Sequence, residues 1–298
     1  MSVLVDRTTR VVVQGLTGRE GSFHARLMRD YGTSIVAGVT PGKGGSAHEG
    51  VPVFDRVAEA RAATAADAAI VFVPRARAAA SIREAIEAGL RIVVCTTDGI
   101  PVHDVLRIRA LARDAGCTVI GPNCPGIISP GRTKLGFMPS HVYTPGPVGV
   151  LSKSGSLSYE VAYELTRAGI GQSTVVGVGG DPVKGADFVD LLPLLAADPD
   201  TSAIVLLGEI GGDDEERAAA WLAARRPAKP VLAYLVGRSA PRAVRMGHPG
   251  TELVGDDGGF AEKVQRLRGA GVIVASSPWD LAARVAAALP RHTDRGTP

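Results

Sequence analysis

Arg10-Val-Val-Val-Gln14 runs directly into Gly15-Leu-Thr-Gly18-Arg-Glu-Gly21-Ser22. A short β-branched run, then closely spaced glycines, then helical periodicity over residues 23–31 reads as strand, turn and helix. The unit repeats outward along the chain. Strands are expected at 35–39, 68–73, 91–95 and 117–120, with helices at 78–88 and 102–115. Apolar strands separated by helical stretches imply βαβ units and a parallel sheet covered on both faces. His141-Val-Tyr-Thr-Pro-Gly-Pro147 interrupts the rhythm as a proline-rich connector. The alternation then restarts, with strands at 148–151, 173–177, 203–207, 231–236 and 272–275. Its helices are expected at 157–168, 188–196, 215–224, 259–270 and 279–289. The expected fold class is α/β, with two doubly wound domains at residues 1–144 and 145–298.

Composition agrees. The 298 residues are 45% hydrophobic and 21% charged, which excludes a disordered, fibrous or coiled-coil chain. The net charge is +3 with no run of Lys or Arg, so no nucleic-acid partner is expected. Apolar runs such as 203–207 and 231–236 fall far short of the ~20 residues that span a bilayer, so no membrane span is expected. The three cysteines, Cys95, Cys117 and Cys124, have no metal-ligand spacing. The expectation is no metal and a reduced, cytoplasmic compartment. Trp221 and Trp279 are expected to be packing residues.

Two stretches carry chemistry. The first is the turn after strand one, spaced G-x-x-G-x-x-G rather than the dinucleotide G-x-G-x-x-G. Its glycines let backbone N–H groups at a helix N-terminus approach a phosphate. At the end of the second strand a NAD site wants Asp or Glu for the ribose hydroxyls. Here Thr40-Pro-Gly-Lys43-Gly-Gly45 stands instead. A lysine in that frame suits a ribose phosphate, so coenzyme A or NADP is implied. The second stretch is Met246-Gly-His248-Pro-Gly250, in a loop of about twenty residues, a length that is usually functional. Leu207-Gly-Glu209-Ile-Gly-Gly212 puts a carboxylate just past a buried strand, able to fix a histidine tautomer. Ser152-Lys-Ser154-Gly155-Ser156 ends another strand and opens a helix, a second anion site of the same physical kind. Histidine, carboxylate and helix N-terminus together suit a transient phosphohistidine.

These motifs, with Gly121-Pro-Asn-Cys-Pro-Gly126 and Gly177-Val-Gly-Gly-Asp-Pro182, resemble the alpha subunit of succinyl-CoA synthetase (succinate–CoA ligase). The resemblance runs from about residue 9 to 289. It implies a Rossmann-like CoA-binding domain followed by a flavodoxin-like doubly wound ligase domain. It places CoA on Thr17, Gly18, Arg19, Glu20 and Lys43, and on Thr97 and Asp98 after strand four. It makes His248 the phosphorylated histidine and Glu209 its partner. Tyr159 falls on a residue lining the acid or thioester site, and Asn123 and Cys124 sit near the CoA thiol. It further implies an ATP-grasp beta subunit that binds ATP or GTP with Mg2+, since this chain has no such domain. The substrate class is a small dicarboxylate.

The sequence departs from the family where Glu252, Asp256 and Asp257 bring negative charge near the histidine, and where Asp98 replaces the usual Glu. These departures bear on the acyl substrate and on phosphorylation. A paralogue acting on malate or another dicarboxylate is one alternative. An NADP-dependent oxidoreductase and a non-catalytic CoA-binding module are the others.

Overall fold

The computed structural model describes residues 3–240, 247–251 and 258–290. Among these residues the strands form two seven-stranded sheets. The first contains β1 (Arg10–Gln14), β2 (Ser34–Val39), β3 (Ala47–His48), β4 (Val51–Phe54), β5 (Ala68–Val71), β6 (Ile92–Cys95) and β7 (Thr118–Ile120). Its order is β3-β4-β2-β1-β5-β6-β7, parallel except for the short β3–β4 pairing. Without β3 this is the 3-2-1-4-5-6 order of Rossmann-type sheets. Helices α1 (Arg19–Asp30), α2 (Val57–Thr64), α3 (Arg75–Glu87) and α4 (Val102–Asp114) connect it. The sheet is covered on both faces, and β1 shows why. Val11 and Val13 enter one core cluster and Val12 the other, the two-residue alternation of a fully buried strand.

The second sheet contains β8 (Gly126–Ser129), β9 (Thr133–Gly136), β10 (Pro145–Ser152), β11 (Gln172–Gly177), β12 (Ala203–Glu209), β13 (Val231–Val236) and β14 (Ile273–Val274). Its order is β14-β13-β12-β10-β11-β8-β9. The five parallel strands follow the 2-1-3-4-5 order of flavodoxin-like sheets. Helices α5 (Gly155–Arg167), α6 (Phe188–Ala197), α7 (Asp214–Arg225), α8 (Phe260–Gly269) and α9 (Pro278–Ala288) flank it.

Several features differ from the sequence expectation, which placed no element between residues 39 and 68, where β3, β4 and α2 stand. The β8–β9 hairpin precedes residue 144, yet β8 pairs antiparallel with β11 and extends the second sheet. Helix α1 begins at Arg19 rather than at residue 23. Gly21 fits inside it because a β-carbon there would lie 2.1 Å from the Gly15 carbonyl oxygen, so only glycine permits this tight entry. Trp279 is 67% exposed on α9 and is no packing residue, whereas Trp221 packs against the core.

The two halves are joined by charge as well as by chain. Arg109 on α4 reaches Asp187 at 2.9 Å and Asp190 at 3.1 Å. Those two aspartates form the capping box that starts α6. Arg217 on α7 holds the same Asp187 at 2.8 Å.

Candidate active site

In open α/β sheets ligands bind beyond the carboxyl ends of the strands, where the strand order reverses. The first sheet reverses between β1 and β5, the second between β10 and β12. Both expected motifs fall at these points.

At the first reversal, Gly15 adopts φ +85°, and a β-carbon there would lie 2.4 Å from the Phe72 carbonyl oxygen just past β5. Gly18 is the N-cap of α1 and, among the described residues, no side chain caps that helix, which leaves its N–H groups for an anion. Lys43 Nζ donates to Thr17 Oγ1 at 3.1 Å, and Thr17 Oγ1 donates to Thr40 Oγ1 at 3.2 Å. A cavity of about 330 Å3 opens beside them, lined by Gly15, Gly18, Thr40, Lys43, Phe72 and Arg77 among others. Thr17, Gly18 and Lys43 are therefore brought together. Arg19 and Glu20 lie exposed on the first turn of α1, and Glu20 approaches His24 at 3.6 Å. His24 stacks on Phe72, a residue that lines this cavity, with ring centroids 5.4 Å apart.

The lysine loop is shaped by Asp55, a residue outside the motifs. Asp55 Oδ1 accepts from Gly42 N–H at 2.6 Å and from Gly44 N–H at 2.9 Å, bracketing Lys43. These backbone donors hold the Asp55 carboxyl below its ordinary range. An aspartate eleven to thirteen residues downstream carries no local signal for that role.

At the second reversal, Glu209 ends β12 and is buried, while His248 is half-buried. His248 Nδ1 lies 2.8 Å from Glu209 Oε2. A carboxylate accepts only, so Nδ1 is the donor and Nε2 keeps its lone pair in the neutral ring. The bond to Glu209 raises the imidazole above its ordinary value, against the effect of burial. Gly180 forms the floor under the ring: a β-carbon there would meet His248 Cγ at 2.3 Å. The same backbone holds the loop, since Gly250 N–H donates to the Gly180 carbonyl at 3.2 Å.

The adjacent strand β10 delivers the second anion site. Ser154 is the N-cap of α5, and its side chain accepts from Leu157 N–H at 3.3 Å. Ser156 Oγ lies 3.4 Å from Ser154 Oγ. Gly155 faces the Tyr159 hydroxyl and Pro125, 3.5 and 3.6 Å from where a β-carbon would stand. The Tyr159 hydroxyl is buried without a hydrogen-bond partner among the described residues, and burial pushes it up to about 12.

Asn123 joins the two reversals. Its N–H donates to the Thr97 carbonyl at 3.0 Å, and Gly180 N–H donates to its carbonyl at 3.3 Å. Its side-chain amide donates to Asp181 Oδ1 at 2.8 Å. Asp181, quoted within a motif but given no role by the sequence, is buried beside the histidine, and burial raises its carboxyl. Asp98 is exposed beyond Thr97 and acts on Asp181 electrostatically. Cys124 is buried, donates from Sγ to the Cys95 carbonyl at 3.2 Å and is raised by burial, which removes it as a ready nucleophile. Met246 of the histidine motif, and Glu252, Asp256 and Asp257, lie outside the described residues.

Residues 6–99 fit the model of the CoA binding domain and residues 151–273 that of the CoA-ligase domain. The chain is 51% identical, over 97% of its length and all of the other's, to succinate–CoA ligase [ADP-forming] subunit alpha 2 of Archaeoglobus fulgidus. The chain belongs to the succinate–CoA ligase alpha-subunit family. It is also 47% identical to the malate–CoA ligase subunit alpha of Methylorubrum extorquens, over 98% of this chain and 99% of that one. The solved ATP citrate lyase of Methanosaeta concilii, in complex with (3S)-citryl-CoA, superposes with TM-score 0.88 at 25% identity. That match covers 99% of this chain, which spans about half (53%) of the lyase chain. Membership of this family replaces the NADP-dependent alternative.

Proposed function

We propose that this chain is the alpha subunit of a nucleotide-dependent succinate–CoA ligase. The observation that carries the reading is the 2.8 Å bond between His248 and Glu209 at the second strand-order reversal. It sits on the same sheet edge as the α5 N-terminus, because β10 and β12 are paired neighbours. Glu209 fixes the Nδ1–H tautomer, so Nε2 takes phosphate from the nucleotide bound by the partner. The N–H groups at Gly155 and Ser156, with the Ser154 hydroxyl, receive that phosphate; the Ser154 N–H itself donates to Ser152 Oγ at 3.2 Å. Transfer to the acid gives an acyl phosphate, and the CoA thiol displaces the phosphate to form the thioester. Tyr159 and Asn123 line the acid and thioester end. The turn at Thr17, Gly18, Arg19 and Glu20, with Lys43, Thr97 and Asp98, holds CoA.

The partner is an ATP-grasp beta subunit that binds ATP or GTP with Mg2+, and the compartment is the cytoplasm. The buried free cysteines support a reducing compartment. Among the described residues no helix is long and apolar enough to cross a membrane. Malate is a second candidate acid, favoured by the 47% identity to the malate–CoA ligase subunit.

Co-expression with the cognate beta subunit, followed by acyl-CoA synthesis assays with succinate and malate, tests the reading. The complex is expected to turn over succinate, and the purified chain alone is expected to turn over nothing. Turnover by the verified single chain, or none by the complex with either acid, contradicts it. CoA recognition has its own test. Lys43→Glu turns a charge-assisted phosphate contact into repulsion, and CoA affinity is expected to fall roughly tenfold or more. Dephospho-CoA is expected to lose less, because it lacks the ribose phosphate. Equal losses in calorimetry would remove Lys43 from that phosphate.

A further inference from the structure

Behind Glu209 lies a buried charge cluster that the mechanism above leaves without a role. Lys153, Asp214, Glu215, Lys184 and Lys263 are each at most 8% exposed. Lys263 on α8 pairs with Glu215 at 2.5 Å and with Glu216 at 2.9 Å. Lys184 pairs with Asp214 at 2.9 Å. Lys153 Nζ stands 3.3 Å from Asp214 Oδ2, 3.4 Å from Glu215 Oε1 and 4.0 Å from Glu209 Oε1. That Glu209 oxygen is buried with no hydrogen-bond partner among the described residues. Besides His248 itself, Lys153 is the cation that meets the Glu209 carboxylate among the described residues. A carboxylate withdrawn from water is unfavourable without a counter-charge, so this placement matters more than its length suggests.

The backbone of Lys153 is equally committed. It joins Ser152, the end of β10, to Ser154, the N-cap of α5, and its N–H donates to the Leu207 carbonyl at 3.0 Å. The side chain also donates to the Gly211 carbonyl at 3.4 Å, in the turn that follows Glu209. One residue thus spans the two loops that must act together. We propose that Lys153 is a positioning residue, whose buried charge balances Glu209, keeps Oε2 turned to His248 and ties that pair to the phosphate-receiving helix end. This rests on the ligase reading and deepens it.

The charged groups facing Lys153 are Glu209 from β12 and Asp214 and Glu215 from α7. Burial opposes its charge, but Glu215, Asp214 and Glu209 outweigh burial and hold the ammonium above the ordinary lysine range. It therefore stays charged where histidine titrates. Those facing His248 are Glu209, Lys153 and Asp181, and of these only Lys153 disfavours a proton on the ring. Removing Lys153 leaves Glu209 to draw a proton onto the imidazole.

The test is the pH dependence of phosphate incorporation into this chain, in complex with its beta subunit and γ-labelled nucleotide, between pH 6 and 9. Lys153→Met is expected to move the acid limb about one unit toward higher pH, slowing labelling about tenfold below the limb and sparing it above. Lys153→Arg keeps the charge and is expected to keep the wild-type profile. In a Glu209→Gln background, Lys153→Met is expected to move the limb less, because only the direct effect of its charge on the ring remains. A uniform loss at every pH, or an unchanged profile, overturns the proposal. So does a displaced limb in Lys153→Arg, which remains measurable if the methionine variant fails to assemble. Absence of label on His248 in the wild-type complex would instead sink the ligase reading itself.

Discussion

His248→Asn is expected to abolish phosphate incorporation and to reduce net acyl-CoA synthesis on the order of 10⁴-fold or more, with CoA affinity unchanged. The asparagine amide can still donate to Glu209, so the turn keeps its partner, but the lone pair that attacks phosphorus is gone. Loss of a covalent nucleophile is not shared out among its neighbours, hence the size of the effect. CoA affinity survives because the glycine turn and Lys43 belong to the other sheet. Glu209→Gln separates orientation from nucleophilicity. Labelling is expected to slow by up to about 10⁴-fold, the loss known when a carboxylate that fixes a catalytic histidine becomes an amide. The pH profile carries a signed check. The Glu209 hydrogen bond raises His248 above its ordinary value of 6.5, so labelling rises with pH through a limb above that value. With Gln at 209 the limb is expected to move down in pH while the plateau falls.

Gly180→Ala is the second large effect, and it touches no reacting atom. The new β-carbon would lie 2.3 Å from Cγ and 2.4 Å from Nδ1 of His248. Something must move. The Gly180 backbone is held on both sides, by Asn123 and by Gly250, so the ring is the part that yields. Displacement of about an ångström breaks the 2.8 Å bond to Glu209 and misaims Nε2. A misplacement of that size costs about 10²-fold, and labelling is expected to fall by that amount. Stopped-flow or quench labelling measures it, with CoA affinity and the thermal midpoint as controls for folding. Unaltered labelling would mean that the ring does not need this floor.

The sequence made the alternation of strand and helix readable because both sheets are buried on both faces and their strands run as short apolar blocks. What escaped had physical reasons. The β8–β9 hairpin is punctuated by Gly126, Pro130, Gly131 and Gly136, which read as loop, and its place in the second sheet depends on pairing with β11. The first turn of α1 escaped because Gly18 and Gly21 look like turn residues until the close approach to Gly15 is known. In the site, His248 and Glu209 stood out because glycines flank a histidine in a long loop and a carboxylate at a strand end. Asp55, Gly180, Asp181 and Lys153 did not stand out as participants. Their roles come from contacts with distant segments, and no spacing rule encodes these.

The most direct test maps the phosphate. The complex with the cognate beta subunit is incubated with γ-labelled nucleotide and digested under alkaline conditions, and the modified peptide is sequenced by mass spectrometry. The expected result is one acid-labile, base-stable phosphate on His248, discharged when succinate and CoA are added. Phosphate on another residue, or an active complex that carries none on this chain, would contradict it.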